Sequence, residues 1–290
     1  MALPHTVVRR ATGFGSDRLF AMLVYAAAAV VAGMFAWILI DLVSQGSGKL
    51  SWAFLTEAPR SSGRQGGIAS ILVSTLLIVG VAMAVAMPLA LAAAVWLSEY
   101  TRSSGWLAQT IRVALDVLAG VPSIVFGLFG NAFFCIYLGL GFSILSGGLT
   151  LACMVLPILI RATESGLSSV PDEWRRGAAA LGLTKRAALW HVLLPAAAPA
   201  MGAGLLLGVG RAMAETAALV FTSGYVDRMP GSLMDSGRAL AVHIFDLSMN
   251  VSGGDKAAYG SALVLIGLLV VINGVSLKLS ERFLAKRISL

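Results

Sequence analysis

The chain has 290 residues, of which 58% are hydrophobic and only 12% charged, against about 25% charged in a soluble domain. A chain this apolar has too few polar residues to cover a water-facing surface and too little charge to be disordered, so it reads as a polytopic membrane protein. The formal charge of +7 would point to nucleic acid in a soluble protein, but in a membrane protein it reflects Lys and Arg gathered in cytoplasmic loops, and no nucleic-acid partner is expected.

A helix that crosses the hydrocarbon core needs about 20 mainly apolar residues. Six stretches qualify: 19–43, 68–97, 113–140, 148–160, 196–221 and 259–279. Arg9, Arg10 and Arg18 precede the first. Its apolar run is longer than the roughly 7–15 residues of a signal sequence, which predicts an uncleaved anchor. The third stretch contains Gly120-Val121-Pro122, which predicts a kink or break. The fourth is short, and residues 162–167 extend it if Arg161 and Glu164 face protein or the interface.

Residues 165–195 are too long and too patterned for a simple turn. A helical run over 173–181 is followed by Gly182 as its C-terminal stop, and a second run over 185–194 meets Pro195. Two short helices joined at a glycine form a knob suited to docking in a partner's groove. The competing reading is an amphipathic connector lying on the membrane.

The fifth stretch carries Arg211 and Glu215. On a continuous helix these lie on one face, close enough to pair. An internal salt bridge and a polar path in which the guanidinium recognises an anion are both compatible with that placement. Gly204, Gly208 and Ala212 are small residues at every fourth position, which allows close packing against a neighbouring helix, in this chain or in a second subunit. Beyond it, 223–258 is rich in Gly, Ser, Asp and Asn, and its apolar patch 239–247 predicts a short helix at the outer surface. With a cytoplasmic N-terminus, 14 basic residues fall on the cytoplasmic side and 6 outside, Arg211 being within the membrane. This places both termini in the cytoplasm.

No enzyme chemistry is expected. Lys49 follows Gly46-Ser47-Gly48, but the spacing to an earlier glycine and the Ser or Thr of a phosphate-binding loop are missing. His5, His191 and His243 fall in separate segments, and Cys135 and Cys153 read as small apolar residues. No metal or cofactor is expected. Asp116, near the Pro122 break, is a second candidate for a charge lining a path.

The knob resembles the coupling loop of ABC-importer permeases, whose pattern is Glu-Ala-Ala, three residues, Gly, nine residues, then Ile-x-Leu-Pro. Alignment on Gly182 puts Val192-Leu193-Leu194-Pro195 at the far end and Arg176-Gly177-Ala178 at the start, without the acidic residue and first alanine. Within that superfamily the chain is similar to the A-type permeases of phosphate-specific importers. The matching residues include Gly66-Gly67-Ile68, Leu97-Ser98-Glu99-Tyr100, and the run from Leu118 through Pro122, Ser123 and Gly127 to Gly130. Further matches are Gly210-Arg211-Ala212 with Glu215-Thr216-Ala217, and Tyr259-Gly260-Ser261-Ala262-Leu263. Ala214 and Ala218 stand where that family usually has Gly and Pro, and both changes stiffen the helix.

The resemblance, which covers 66–279, implies an all-α, six-helix type I ABC-importer permease fold with a cytoplasmic coupling loop at 165–195. It implies a cytoplasmic segment 1–18, a first membrane helix 19–43, a permease core 66–279 and a cytoplasmic tail 280–290. It further implies a heterodimer with a C-type phosphate permease, two cytoplasmic ATPase subunits and a periplasmic phosphate-binding protein. Phosphate would pass Arg211, Glu215 and Thr216. Arg176, Gly177, Ala178, Gly182, Leu194 and Pro195 would meet the ATPase, and Gly66, Gly67, Pro122, Ser123 and Gly127 would be structural. The alternatives are a permease for another oxyanion, the C-type subunit, a passive anion channel, or a structural or sensory membrane subunit.

Overall fold

Small residues set how closely the helices approach one another. In the computed structural model, which describes residues 14–101 and 105–288, the central pair is α3 (Ala69–Val95) against α6 (Ile144–Ser168). Ala82, Ala86, Ala90 and Ala94 recur every fourth residue along α3, and all are buried. A Cβ on Gly148 of α6 would sit 2.5 Å from Val81 Cγ1, so only glycine permits this approach. Among lipid tails such contacts stabilise by dispersion and not by removing apolar surface from water. His5, Arg9, Arg10 and Arg102 lie outside the described residues.

In chain order, α1 (Phe14–Gly46) leads through the short α2 (Trp52–Thr56) to a two-residue antiparallel pair, β1 (Pro59–Arg60) with β2 (Gln65–Gly66). Then come α3, α4 (Trp106–Ala119), α5 (Ser123–Gly130), α6 and α7 (Asp172–Ala180). The chain ends with α8 (Lys185–Ala188), α9 (Leu194–Met213), α10 (Ala217–Val220), α11 (Leu240–Met249) and α12 (Asp255–Ile288). Among the described residues, five helical runs are long and apolar enough to cross a membrane: 18–49, 69–100, 144–168, 185–213 and 255–275. The bent pair of α4 with α5 and its π-helical extension to Tyr137 makes a sixth if counted as one span.

The break at Gly120–Pro122 is real and bends the third span by 99°. Proline has no N–H for the ladder, and its ring drives the preceding residue out of helical geometry. α6 extends to Ser168 because its charges face protein: Glu164 is buried between Arg112 Nε at 2.7 Å and Arg161 Nη1 at 3.4 Å. Gly204 packs against Ala162 and Gly208 against Leu159, so the helix served by that small-residue stripe is α6 of the same chain.

Three expectations are corrected. The run from Lys185 is not a separate short helix ended by Pro195; it continues into α9. A π-helical turn at Leu189–Leu193 widens the coil just before Pro195, absorbing a ring that would otherwise clash with the carbonyl four residues back. The fifth stretch is not one helix to residue 221, because it breaks after Met213 and restarts at Ala217. And α11 does not merely lie on a surface: Leu240 is buried with Phe54, Ile68 and Ile71 in one apolar cluster.

Candidate functional site

The two helix breaks meet. A Cβ on Gly127 of α5 would lie 2.9 Å from Ala218 Cα and 3.2 Å from the Ala217 carbonyl oxygen, so α5 packs directly on α10. Asn131 Nδ2 donates to the Phe221 carbonyl at 2.8 Å, closing the far end of the contact. Pro122 is exposed and Ser123 half-buried at the start of α5, with Gly127 buried behind them. The glycine at 127 therefore has a concrete job: it lets the restart of one broken helix sit against the restart of the other.

Arg211 occupies the last turn of α9 and is exposed. Glu215 does not pair with it. The chain tightens at Ala214, Glu215 leaves the helix, and its Oε1 accepts the backbone N–H of Ala218 at 3.2 Å. The carboxylate thus satisfies one of the amides left open at the start of α10, in the manner of an N-terminal cap. The pairing inferred from spacing fails because that spacing presupposes an unbroken helix. Alanines at 214 and 218 do not prevent the break. Among the described residues no carboxylate lies within ion-pair distance of Arg211. Thr216, half-buried, lends its carbonyl to Val220 N at 3.0 Å.

Asp116 is engaged elsewhere. Arg161 binds it through Nη2 at 2.5 Å and Nε at 3.1 Å, and the same Nη2 donates to the Arg112 carbonyl at 2.9 Å. With Glu164 taking Arg112 and Arg161, four charged side chains tie α4 to α6 and leave no net charge. Asp116 is an ion-pair partner of this network, not a free acid.

Just past the same, C-terminal end of α6, the predicted knob is α7 with the turn into α8. Asp172 and Glu173 sit in the first turn of α7, where acids complement the helix dipole. Its end is a glycine-capped turn: Gly182 has φ +76°, Gly182 N donates to the Ala179 carbonyl and Leu183 N to that of Ala178, both at 3.0 Å. That is the hydrogen-bond pair of a left-handed C-terminal stop. Thr184 then caps α8, accepting from Ala187 N at 3.2 Å. Arg176, Gly177 and Gly182 are exposed, Ala178 and Leu194 are buried, and Pro195 is half-buried. Leu181 is 82% exposed at the tip.

The opposite end is closed by β1, β2 and α11. Gly66 (φ +77°) packs on the Ala58 carbonyl, and a Cβ on Gly67 would meet the carbonyl oxygens of Glu57, Phe54 and Ala53 at 2.6–2.7 Å. Arg238 is buried there, donating from Nε to the Tyr225 carbonyl at 2.8 Å and from Nη1 to Asp246 at 3.0 Å. Beside it His243 is fully buried, and desolvation, reinforced by the Arg238 charge, pushes its imidazole down to about 4. Asp235 accepts the amides of Gly231 and Ser232, which holds its carboxyl below the usual range. Sequence reasoning missed the Arg238–Asp246 pair; spacing alone gave no sign that these two face inward.

Comparisons with known proteins bear on this geometry. The model of a family described as binding-protein-dependent transport system inner membrane component matches residues 86–290. The chain is similar to a probable ABC transporter permease of Bacillus subtilis, YqgI, at 31% identity over 91% of this chain and 94% of the relative. It is also similar to the phosphate transport system permease protein PstA 2 of Mycobacterium bovis, at 33% identity over 84% of this chain and 81% of the relative. Among solved structures, a bacterial ABC transporter for import of the acidic polysaccharide alginate aligns with a TM-score of 0.62 at 14% identity, covering 91% of this chain and 98% of that one. At that identity the likeness concerns the fold.

Proposed function

The chain belongs to the binding-protein-dependent transport system inner membrane component family, and from that premise we propose that it is the A-type permease subunit of an ATP-driven importer of inorganic phosphate. Its partners are then a C-type permease, two ATPase subunits below the membrane and a periplasmic phosphate-binding protein. In this arrangement the end carrying α7 faces the cytoplasm, together with both termini, and the end carrying β1, β2 and α11 faces outward. The segments 1–18 and 280–290 flank a first anchor at 19–43 and a core at 66–279.

The observation that carries the reading is Arg211. An arginine within a membrane span costs about 2.5–3.5 kcal/mol even on insertion scales, and here no carboxylate of the described residues offsets it. Its five N–H donors suit the oxygens of a tetrahedral oxyanion, and it stands one turn before the Ala214–Thr216 break, against which α5 packs. Glu215 keeps the restart at α10 in place, and Thr216 brings a hydroxyl beside the break. On the cytoplasmic side, Arg176, Gly177 and Gly182 present the exposed part of α7 and its turn to an ATPase groove. Ala178, Leu194 and Pro195 seat that knob on the membrane helices. The chain itself supplies no ATP-hydrolysing site in this reading; the partner subunits do.

Uptake of labelled phosphate into proteoliposomes holding the assembled complex, with ATP inside, tests the assignment. Uptake that excess unlabelled phosphate suppresses and sulfate does not supports it. Uptake suppressed equally by sulfate, or uptake without ATP, would overturn the substrate or the importer assignment respectively.

A further inference from the structure

Arg175 uses every hydrogen-bond donor it has. Nη2 donates to Glu99 Oε1 at 2.7 Å and to the Leu167 carbonyl at 2.8 Å. Nη1 donates to the Val170 carbonyl at 2.8 Å and to Asp172 Oδ1 at 3.3 Å, and Nε to Glu99 Oε2 at 3.3 Å. A guanidinium has five N–H groups, and these five contacts account for all of them. They join three separate elements: the end of the α3 run at its π-helical turn Trp96–Tyr100, the C-terminal end of α6, and α7 itself. Glu99 is gripped by two parallel bonds, the geometry that makes an arginine–carboxylate pair directional as well as strong. Leu167, near the C-terminal end of α6, offers a carbonyl that also accepts Val170 N at 3.3 Å, at the end of the helix dipole that favours a cation.

An exposed ion pair would contribute little. This one is different in kind: its arginine and glutamate side chains are 26% and 16% exposed, and the charges are fixed by backbone carbonyls on a second element. α7 is otherwise lightly held. Among its nine residues only Ala178 is buried, so apolar packing alone does not define its direction.

We propose that Arg175 is the positioning residue of this permease, locking α7 to the cytoplasmic end of α3 through Glu99 so that the two move as one body when the ATPase subunits close. The proposal rests on the permease reading given above. A coupling element transmits motion only if its attachment is rigid compared with the displacement it carries. Arg175 supplies that rigidity toward α3, while the peptide chain and the two carbonyl bonds supply it toward α6. Lysine cannot substitute fully, since one ammonium cannot hold a carboxylate bidentately and also reach two carbonyls.

The test uses the assembled complex with its ATPase subunits, with spin labels on Tyr100→Cys and Leu181→Cys, both exposed positions, and with Cys135 and Cys153 replaced by Ser. The distance distribution between the labels is expected to be narrow and unchanged between the nucleotide-free and vanadate-trapped states. In Arg175→Ala, and in Glu99→Gln, which keeps the shape of the side chain, it is expected to broaden or to change between states. Phosphate moved per ATP hydrolysed is expected to fall about tenfold, within the usual range of coupling between sites. Arg175→Lys is expected to fall between wild type and Arg175→Ala on both measures. An unchanged distribution and an unchanged phosphate-to-ATP ratio in both Arg175→Ala and Glu99→Gln would overturn the proposal. The label distances need the ATPase but not phosphate, so a wild-type complex that moves no phosphate would refute the substrate reading while the distances still decide the joint.

Discussion

Glu215 Oε1 accepts the backbone N–H of Ala218 at 3.2 Å, so the acid four residues past Arg211 serves the next helix and leaves the arginine to other partners. The two residues have separate tasks, one in holding a helix start and one in presenting a charge. Glu215→Gln keeps an acceptor in place and is expected to preserve folding and assembly. Glu215→Ala is expected to lose about 1 kcal/mol, the usual effect of removing a cap, seen as a lower Tm of the purified subunit. A Glu215→Gln variant as destabilised as Glu215→Ala would show that the charge, and not the cap, is what matters.

Glu164 is the shared carboxylate of the α4–α6 network, buried between Arg112 and Arg161. Glu164→Ala is expected to destabilise by about 2–3 kcal/mol. This is less than the roughly 3–5 of a fully buried pair, because both arginines are partly exposed. Asp116→Asn, at the exposed end of the same network, is expected to change stability by under about 1 kcal/mol. Thermal unfolding in detergent of the two variants side by side checks the order, and equal losses would contradict it.

Two glycines separate steric need from backbone need. At Gly67 three carbonyl oxygens stand within 2.6–2.7 Å of where a Cβ would go, so Gly67→Ala is expected to cost about 1–3 kcal/mol in forced displacement. At Gly182 there is open space but φ is +76°. Gly182→Ala is therefore expected to cost about 1 kcal/mol and Gly182→Asn less, since asparagine tolerates that conformation. Tm values that rank Gly182→Asn below Gly182→Ala would contradict the backbone argument.

His243 gives the end closed by β1, β2 and α11 a pH dependence of known sign. Arg238 and Asp246 are the charged groups beside it, and burial holds the imidazole down to about 4 in the folded protein, against about 6.5 unfolded. The unfolded chain therefore binds the proton first as pH falls. The stability contributed by neutral His243 is whole above about pH 6.5, shrinks between there and pH 4, and is gone below. The total loss is about 3 kcal/mol. His243→Gln is expected to flatten the decline in Tm between pH 7 and pH 4.5. A decline as steep as in wild type would place the responsible group elsewhere.

What was legible in the sequence was written in local backbone chemistry. Gly182 announced a helix stop and Pro122 a break, because their conformational limits act within one turn. Arg161 and Glu164 were legible conditionally, since a span that includes them must turn them toward protein. The continuity from Lys185 into α9 was not legible, because the π-helical turn that admits Pro195 depends on packing at Leu189 and Leu193, both buried. The Arg211–Glu215 spacing misled for a related reason: spacing rules assume the helix whose break is at issue. The Glu99–Arg175 joint was hidden by a separation of 76 residues, bridged only when α3 and α6 pack.

The most direct test concerns Arg211. Cells lacking this gene would be complemented with wild type, Arg211→Lys or Arg211→Gln, at matched membrane abundance, and labelled phosphate uptake measured at limiting concentration. Wild type is expected to restore ATP-dependent uptake. Arg211→Gln is expected to reduce it about tenfold or more, because hydrogen bonds to a charged group contribute about 1.5–3 kcal/mol. Arg211→Lys, which keeps the charge but not the fork, is expected to fall between them. Uptake by Arg211→Gln at the wild-type rate would contradict the assignment of Arg211 to the phosphate path.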